Sequence, residues 1–349
     1  MNFNGKNWLE KFIPTFITHS EKDADIYVID NGSSDDSLLY LKNNFPSIKT
    51  IPLEKNLGFA GGYNEGLKKI NAEFFIIVNS DIEVTKNWIP PLIKVLKNNT
   101  NISAVQPKIK SYNNKDYFEY AGAAGGFIDA VAYPFCRGRV FDYAELDKKQ
   151  YDTYSEIFWS SGACMAIKSK DFNDVGGFDK DFFAHMEEID LCWRLKNLGK
   201  NIFYTSESSV YHFGGGTLKY NSPKKTYLNY RNNLWMIHKN YKGEIPLILF
   251  VLIRILLDQI SGFKLVLSGD LKGYLSIIKA HFSYIISIGK MNVKRKQFSK
   301  INFHELKGYS RKSTIWNYFF LKRKTFSEIT KPCLLYTTDA ADEVDRGGG

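Results

Sequence analysis

The chain is poor in the residues that build cross-links and metal cages. It has four cysteines in 349 residues, Cys136, Cys164, Cys192 and Cys333, and none forms a CxxC pair. Neither a zinc site nor a disulfide framework is indicated, which agrees with a reducing compartment. A spanning helix needs about 20 apolar residues in a row. The strongest apolar run, residues 245–253, meets Arg254, Asp258 and Lys264 before Leu267, so no transmembrane helix is expected. No signal peptide is expected either. Both GxGxxG and the phosphate-binding P-loop are missing, which weakens any dinucleotide reading. The C-terminal third is short of acid. Residues 214–331 hold 22 Lys+Arg against 5 Asp+Glu (+17), residues 1–213 hold 24 against 28 (−4), and the last 18 hold 1 against 4 (−3). Such a basic block attracts anionic surfaces. No recognised motif accompanies it, so nucleic acid is not an expected partner.

What is present is globular: 44% hydrophobic, 24% charged, and 15% aromatic. That aromatic share fits carbohydrate or membrane-interface contacts, and a bulky core fits it as well. The chain is organised around Phe74-Phe75-Ile76-Ile77-Val78-Asn79-Ser80-Asp81. Five apolar residues predict a buried strand. It ends in a polar triplet, and ligands of open α/β sheets bind at the carboxyl ends of strands. Mg²⁺ is held by one or two carboxylates with substrate phosphates completing its shell. Asp81 therefore reads as a metal–phosphate carboxylate or, with equal weight, as a turn or N-cap residue.

Along the chain, Trp8, Leu9, Phe12 and Ile13 have helical spacing, and residues 25–30 predict a strand ending in Asp30. An α/β domain usually opens with a strand, so the expectation is that a first strand is missing ahead of Met1. A second strand is expected over 49–53, and a glycine-rich turn at 56–66 opens a helix. A further helix is expected over about 88–97, with Pro90 in its first turn, and a strand over 103–109. This alternation argues for a largely parallel sheet. Residues 118–133 read as an aromatic, glycine-rich hairpin or loop over a site. Residues 157–167 read as one strand with a bulge at Gly162, and residues 182–195 as one helix stopped by Gly199. Glu187, Asp190 and Arg194 share a face of it. Carboxylates in a first turn suit the helix dipole, and they can also present a general base to a cleft. Two short strands are expected at 201–204 and 209–213. His212, ahead of Gly214, Gly215 and Gly216, is either structural or a ligand. In residues 241–331, apolar stretches at 245–253 and 275–288 lie beside Lys290, Lys294, Arg295 and Lys296. They read as interfacial anchors on anionic lipid or as a helical subdomain packed on the core. The tail, 332–349, breaks with the composition before it and reads as a fusion-type scar, set apart from the fold.

Taken in order, these pieces resemble glycosyltransferase family 2, in its bacterial rhamnosyltransferase-like branch. They are Asn2-Phe3-Asn4-Gly5, Val28-Ile29-Asp30-Asn31-Gly32-Ser33-Ser34-Asp35, residues 56–64, Asn79-Ser80-Asp81, Gly162-Ala163-Cys164-Met165, Glu187-Glu188-Ile189-Asp190-Leu191-Cys192-Trp193-Arg194, and His212. The resemblance covers about residues 2–240. It implies an α/β GT-A fold and a catalytic domain over 1–240; residues 241–331, from their own composition, read as a basic helical, membrane-associated extension. It implies a nucleotide-diphosphate sugar donor, UDP- or dTDP-linked, bound by Asn2, Asn4, Asp30, Asn31, Asn56, Gly58, Gly61, Asn64, Asn79 and Ser80. A Mg²⁺ or Mn²⁺ ion on Asp81 and His212 is implied, with Asn79 standing where the family's metal motif carries its first Asp. Gly162, Ala163 and Trp193 are implied on the acceptor side. The general base is implied at Glu188, where the family usually has Asp, with Glu187 and Asp190 as alternatives. The implied reaction is inverting transfer to a glycan, lipid-linked in surface polysaccharide synthesis, by a peripheral enzyme at the cytoplasmic face of a bacterial inner membrane. Two other classes compete. One is a sugar-nucleotide pyrophosphorylase, whose basic glycine-rich N-terminal loop is absent. The other is a non-catalytic relative that binds membrane or a partner protein.

Overall fold

The computed structural model describes residues 1–119, 122–214 and 222–330; the 332–349 tail and the Gly215–Gly216 pair lie outside them. The first half alternates. Helix α1 (Lys6–Ser20) leads to β1 (Tyr27–Asp30), α2 (Ser37–Asn44), β2 (Lys49–Pro52), α3 (Gly58–Leu67), β3 (Phe74–Val78), β4 (Ile82–Val84), α4 (Ile89–Asn98) and β5 (Ile102–Ser111). A run of short strands follows: β6 (Gly126–Asp129), β7 (Pro134–Cys136), β8 (Arg139–Val140), β9 (Tyr143–Ala144), β10 (Tyr154–Ile157) and β11 (Cys164–Lys168). Then come α5 (Ser169–Asp174), α6 (Glu187–Asn197), β12 (Asn201–His212), and three long helices, α7 (Pro223–Asn240), α8 (Leu247–Leu267) and α9 (Leu271–Arg295). Strand β13 (Tyr309–Ser310) and helix α10 (Phe326–Thr330) close the described chain.

The main sheet runs β10-β12-β5-β11-β3, with β4 added on β12. It is mixed rather than largely parallel. β12 lies parallel to β5, but β11 enters between β5 and β3 antiparallel to both. Residues 157–167 are therefore not one bulged strand: β10 ends at Ile157, and the chain crosses the sheet before β11 begins at Cys164. The two strands expected at 201–204 and 209–213 are one strand, β12, with an irregularity between Thr205 and Ser209.

Both sheet faces are covered. Leu92 and Leu96 of α4, with Ile89, recur at i, i+3, i+7 and are fully or nearly fully buried against Ile102, Val105 and Ile109 of β5. Each such leucine contributes about 1.5–3 kcal/mol of burial. The opposite face holds the larger core, with Phe75 and Ile77 of β3, Met165 and Ile167 of β11, and Ile189, Leu191 and Leu195 of α6.

Strands β1 and β2 form their own parallel pair. Between β1 and β3 lies an apolar cleft of about 450 Å³ lined by Val28, Ile29, Phe75, Ile76 and Val78. The dipeptide Met1–Asn2 spans its end: Asn2 N–H donates to Ile29 O at 2.8 Å, and the Met1 amino group donates to Val78 O at 3.1 Å. No strand among the described residues fills the rest of that space.

The segment after α7 is not purely helical. β13 pairs in parallel with β6 and completes a second, five-stranded sheet, β13-β6-β7-β8-β9.

Candidate active site

The carboxyl ends of β1 and β3 and the end of β12 converge. Asp30, 1% exposed, accepts from Asn2 Nδ2 at 2.9 Å, Ser33 N–H at 2.9 Å and Ser33 Oγ at 2.7 Å. Asn4 Oδ1 accepts from the Ser34 N–H at 2.7 Å. Asn31 Nδ2 donates to Asn56 Oδ1 at 3.1 Å and to Gly58 O at 2.9 Å. These contacts lock the β1 turn onto the glycine-rich turn. Gly58, at φ +73°, is required there because a Cβ would sit 2.4 Å from Phe183 O. Farther along α3, Gly66 lets the helix ride directly on Ile29. Gly61 lies inside α3, where a Cβ would meet Leu57, which caps the helix, at 2.9 Å. Asn64 turns away from the donor side and brackets the Phe178 backbone, accepting from its N–H at 2.9 Å and donating to its carbonyl at 2.7 Å. Much of the glycine-rich turn therefore does packing work, and the structure does not bring Gly61 or Asn64 to the cleft.

Asn79 and Ser80 are half-buried, and Asn79 N–H donates to Ala163 O at 3.0 Å. The next residue, Asp81, precedes β4, whose Ile82 pairs with His212 of β12. That register places Asp81 Oδ1 3.2 Å from His212 Nε2. On the other ring edge, His212 Nδ1 meets Glu119 Oε2 at 3.0 Å. Burial opposes a charged ring, yet Asp81 and Glu119 outweigh it and push His212 up to about 10. A site that holds a proton so firmly favours a cation.

The donor set fits a divalent ion. His212 Nε2 is a buried ring nitrogen that faces Asp81 Oδ1. Two ligands about 3 Å apart suit adjacent positions of an ion bound at about 2.0–2.1 Å. Glu119 supplies the outer carboxylate that orients a ligating histidine. No cluster of three or more His, Cys, Asp or Glu among the described residues forms a protein-only cage, so substrate oxygens would have to complete the shell.

The expected helix over 182–195 is interrupted. A short 3₁₀ turn covers Lys180–Phe182, and α6 begins only at Glu187. Between them Phe183, His185 and Met186 take φ of +65°, +71° and +71°. Non-glycine residues there cost about 1–3 kcal/mol each and persist only where surroundings impose them. The imposing side chain is Asn232 of α7, whose Nδ2 reaches Phe182 O at 3.0 Å, Ala184 O at 2.9 Å and His185 O at 2.8 Å. Arg231 adds contacts to Asp181 O and Phe182 O at 3.2 Å.

This loop delivers Glu187 and Glu188. Each has a buried Oε2 with no hydrogen-bond partner. Burial pushes Glu188 up to about 7; burial and the charges of Glu188 and Asp190 push Glu187 well above the usual range. Gly162 faces Glu188, its Cβ position lying 3.7 Å from Glu188 Cβ. Cys136 feels both groups: its thiol rises to about 12, through burial first and the charges of Glu119 and Glu188 after it.

Two expected residues sit elsewhere. Asp190, 0% exposed, is bonded to Arg194 Nε at 2.9 Å, Lys239 Nζ at 2.8 Å and Asn240 Nδ2 at 2.8 Å. That saturation makes it an anchor for α6, and the structure corrects its candidacy as base. Trp193, 0% exposed, stacks on Phe303 at 5.0 Å and edges Phe158 at 5.4 Å. It is core, with no surface exposed to an acceptor; of the implied acceptor-side residues, Gly162 borders Glu188. Sequence reasoning missed Glu119, whose aromatic, glycine-rich surroundings gave only a loop signal. It also missed Lys225, in the first turn of α7, whose ammonium is lowered by burial and by Arg139 while Glu119 pulls the other way.

The family described as Glycosyl transferase family 2 matches residues 1–173. N-acetylglucosaminyl-diphospho-decaprenol L-rhamnosyltransferase of Mycobacterium tuberculosis (strain ATCC 25618 / H37Rv) is 23% identical over 218 residues, 58% of this chain and 71% of that protein. Low-salt glycan biosynthesis hexosyltransferase Agl10 of Haloferax volcanii is 24% identical over 249 residues, 70% of this chain and 76% of that protein. Among solved structures, GalNAc-T7 with UDP, GalNAc and Mn²⁺ superposes with a TM-score of 0.51 at 17% identity over 68% of this chain. S. aureus TarS superposes with a TM-score of 0.51 at 14% identity over 84% of this chain. At those identities the likeness is one of fold, a Rossmann-like GT-A architecture with a helical C-terminal region. The chain spans 46% and 49% of those two solved chains.

Proposed function

We propose that the chain is an inverting hexosyltransferase of glycosyltransferase family 2, which matches residues 1–173, in its rhamnosyltransferase-like branch. In this reading it moves a sugar from a UDP- or dTDP-linked donor to a lipid-linked glycan, at the cytoplasmic face of a bacterial inner membrane, in surface polysaccharide synthesis. The observation that carries it is the pairing of a cation-favouring couple, Asp81 and His212 backed by Glu119, with a buried carboxylate of raised pKa, Glu188, the charges of Glu119 and Glu188 both reaching Cys136. The lipid-linked acceptor draws support from the name of the mycobacterial relative, and the Mn²⁺ from the GalNAc-T7 structure.

Asp81 and His212 would hold the divalent ion, which when bound supplies Lewis-acid neutralisation of the diphosphate leaving group. Asp30, fixed by Asn2 and Ser33, reads the nucleotide base. Glu188 takes the proton from the acceptor hydroxyl. The acceptor oxygen then attacks the anomeric carbon from the side opposite the diphosphate, and a single displacement inverts that centre. Its apolar surroundings keep Glu188 basic enough near neutral pH for this transfer.

The test is titration calorimetry of UDP and dTDP with and without Mn²⁺. Binding of one nucleotide that needs Mn²⁺ and disappears in Asp81→Ala is the expected result. Failure of both nucleotides to bind would overturn the donor assignment and leave a non-catalytic relative.

A further inference from the structure

The outward faces of α8 and α9 carry two apolar stripes. Leu252, Leu256 and Phe263 recur at i, i+4, i+11 on α8, and Leu275, Phe282 and Ile286 at i, i+7, i+11 on α9. All six are between 56% and 72% exposed. The inward faces are buried, through Val251 and Gly262 on α8 and Ile277 and Tyr284 on α9. A contiguous apolar face of this kind marks an interaction site on a globular protein. No helix among the described residues is long and apolar enough to cross a membrane, so the face lies along its partner.

The charges on the hairpin decide which partner fits. Lys264, Lys272 and Lys279 are exposed on it. The two acids within residues 247–295 are both used internally. Asp258, 2% exposed, pairs with Arg254 at 3.3 Å and His281 at 3.2 Å, and Asp270 caps α9 by accepting from Gly273 N–H at 2.8 Å. A second copy docked on a two-fold axis would bring the same lysines together with no carboxylate from this hairpin to neutralise them. An anionic lipid surface accepts both the apolar stripe and the lysines. Beside α8, Lys264 lies over the Phe319 ring at 4.7 Å, and Trp316 and Phe320 are exposed in the same segment. Aromatic side chains of this kind favour the headgroup level.

We propose that the α8–α9 hairpin lies flat in the headgroup region of an anionic bilayer, its apolar stripes immersed and its lysines reaching lipid phosphates. This deepens the membrane-side reading above and rests on it for the acceptor. It also links docking to the base-bearing loop, because Lys290 and Lys294 of α9 hold Asp181 and Asp179 at 2.5–2.7 Å, just ahead of that loop.

The experiment is co-sedimentation of the full chain with phosphatidylcholine vesicles, with and without about one third phosphatidylglycerol. Binding at least tenfold stronger to the anionic vesicles is expected. The triple variant Leu256→Ser, Phe263→Ser, Phe282→Ser should lose it while keeping its circular dichroism and its Mn²⁺-dependent nucleotide binding. Lys272→Ala with Lys279→Ala should erase the anionic preference. Absence of vesicle binding, or a dimer by light scattering that the triple variant dissolves, would overturn the proposal. Nucleotide binding requires no vesicles, so a failed donor site and a failed docking face give different results.

Discussion

The two walls of the cleft are built on opposite principles. On the donor side, Asp30 accepts three hydrogen bonds, and His212 is gripped from both edges by Asp81 and Glu119. On the opposite side, Glu187 and Glu188 each keep a buried oxygen unbonded, at the start of α6 just after a loop with three residues at positive φ. A binding wall gains from polar groups already oriented. A reactive group gains from being left unsatisfied, since a carboxylate deprived of partners and water holds its proton more tightly. Stability lost in the second wall is offset by Asn232, Arg231 and the lysines of α9.

The change that breaks this contrast most is Glu188→Gln. It should lower turnover about 10²–10⁴-fold with donor affinity unchanged, measured by steady-state kinetics beside calorimetry. The wild-type rate should rise with pH through about 7 as Glu188 deprotonates. Stability should move the other way. The folded-state pKa is raised, so the native state binds the extra proton, and stability falls as pH climbs from the unfolded value through about 7. Glu188→Gln should therefore raise the melting temperature at pH 8 and change it little at pH 5. A melting temperature lowered equally at both would mean the carboxylate is not held in strain.

Glu119→Gln probes the satisfied wall. Removing the outer carboxylate should weaken Mn²⁺-dependent nucleotide binding about 10–100-fold. Metal-independent nucleotide binding should stay as it was. If both weaken together, Glu119 acts on the nucleotide pocket instead of through His212.

Asn232→Ala has the smallest expected effect and sharpens the comparison. It leaves three loop carbonyls without this donor and should cost about 1–3 kcal/mol in denaturant unfolding. Turnover should fall at temperatures where the protein is still folded, while donor binding persists. Equal loss of both would place Asn232 in general stability.

Much of the α/β alternation was legible because it rests on local pattern. The FFIIV run of β3, the i, i+3, i+7 leucines of α4 and the Pro pair in its first turn are facts of neighbouring residues. Asp81 and His212 were legible as residues with a chemical bias at strand ends. Their meeting was not, because it depends on β4 pairing with β12 across 130 positions of chain. Glu119 was invisible for the same reason, lying 93 residues from the ring it orients.

The sequence by itself determined the strands and helices of the first 111 residues except β4, the basic character of residues 214–331 and the types of side chain available for chemistry. Tertiary structure alone decided what each carboxylate does. Asp190, Glu187 and Glu188 sit within one helical turn, and nothing local separates them. Asp190 is held by Lys239 and Asn240 from α7, 49 and 50 residues away, while burial leaves Glu188 with a raised pKa and an unbonded oxygen. Partnering at that range is fixed by how helices pack, and the pattern of neighbours along the chain does not carry it.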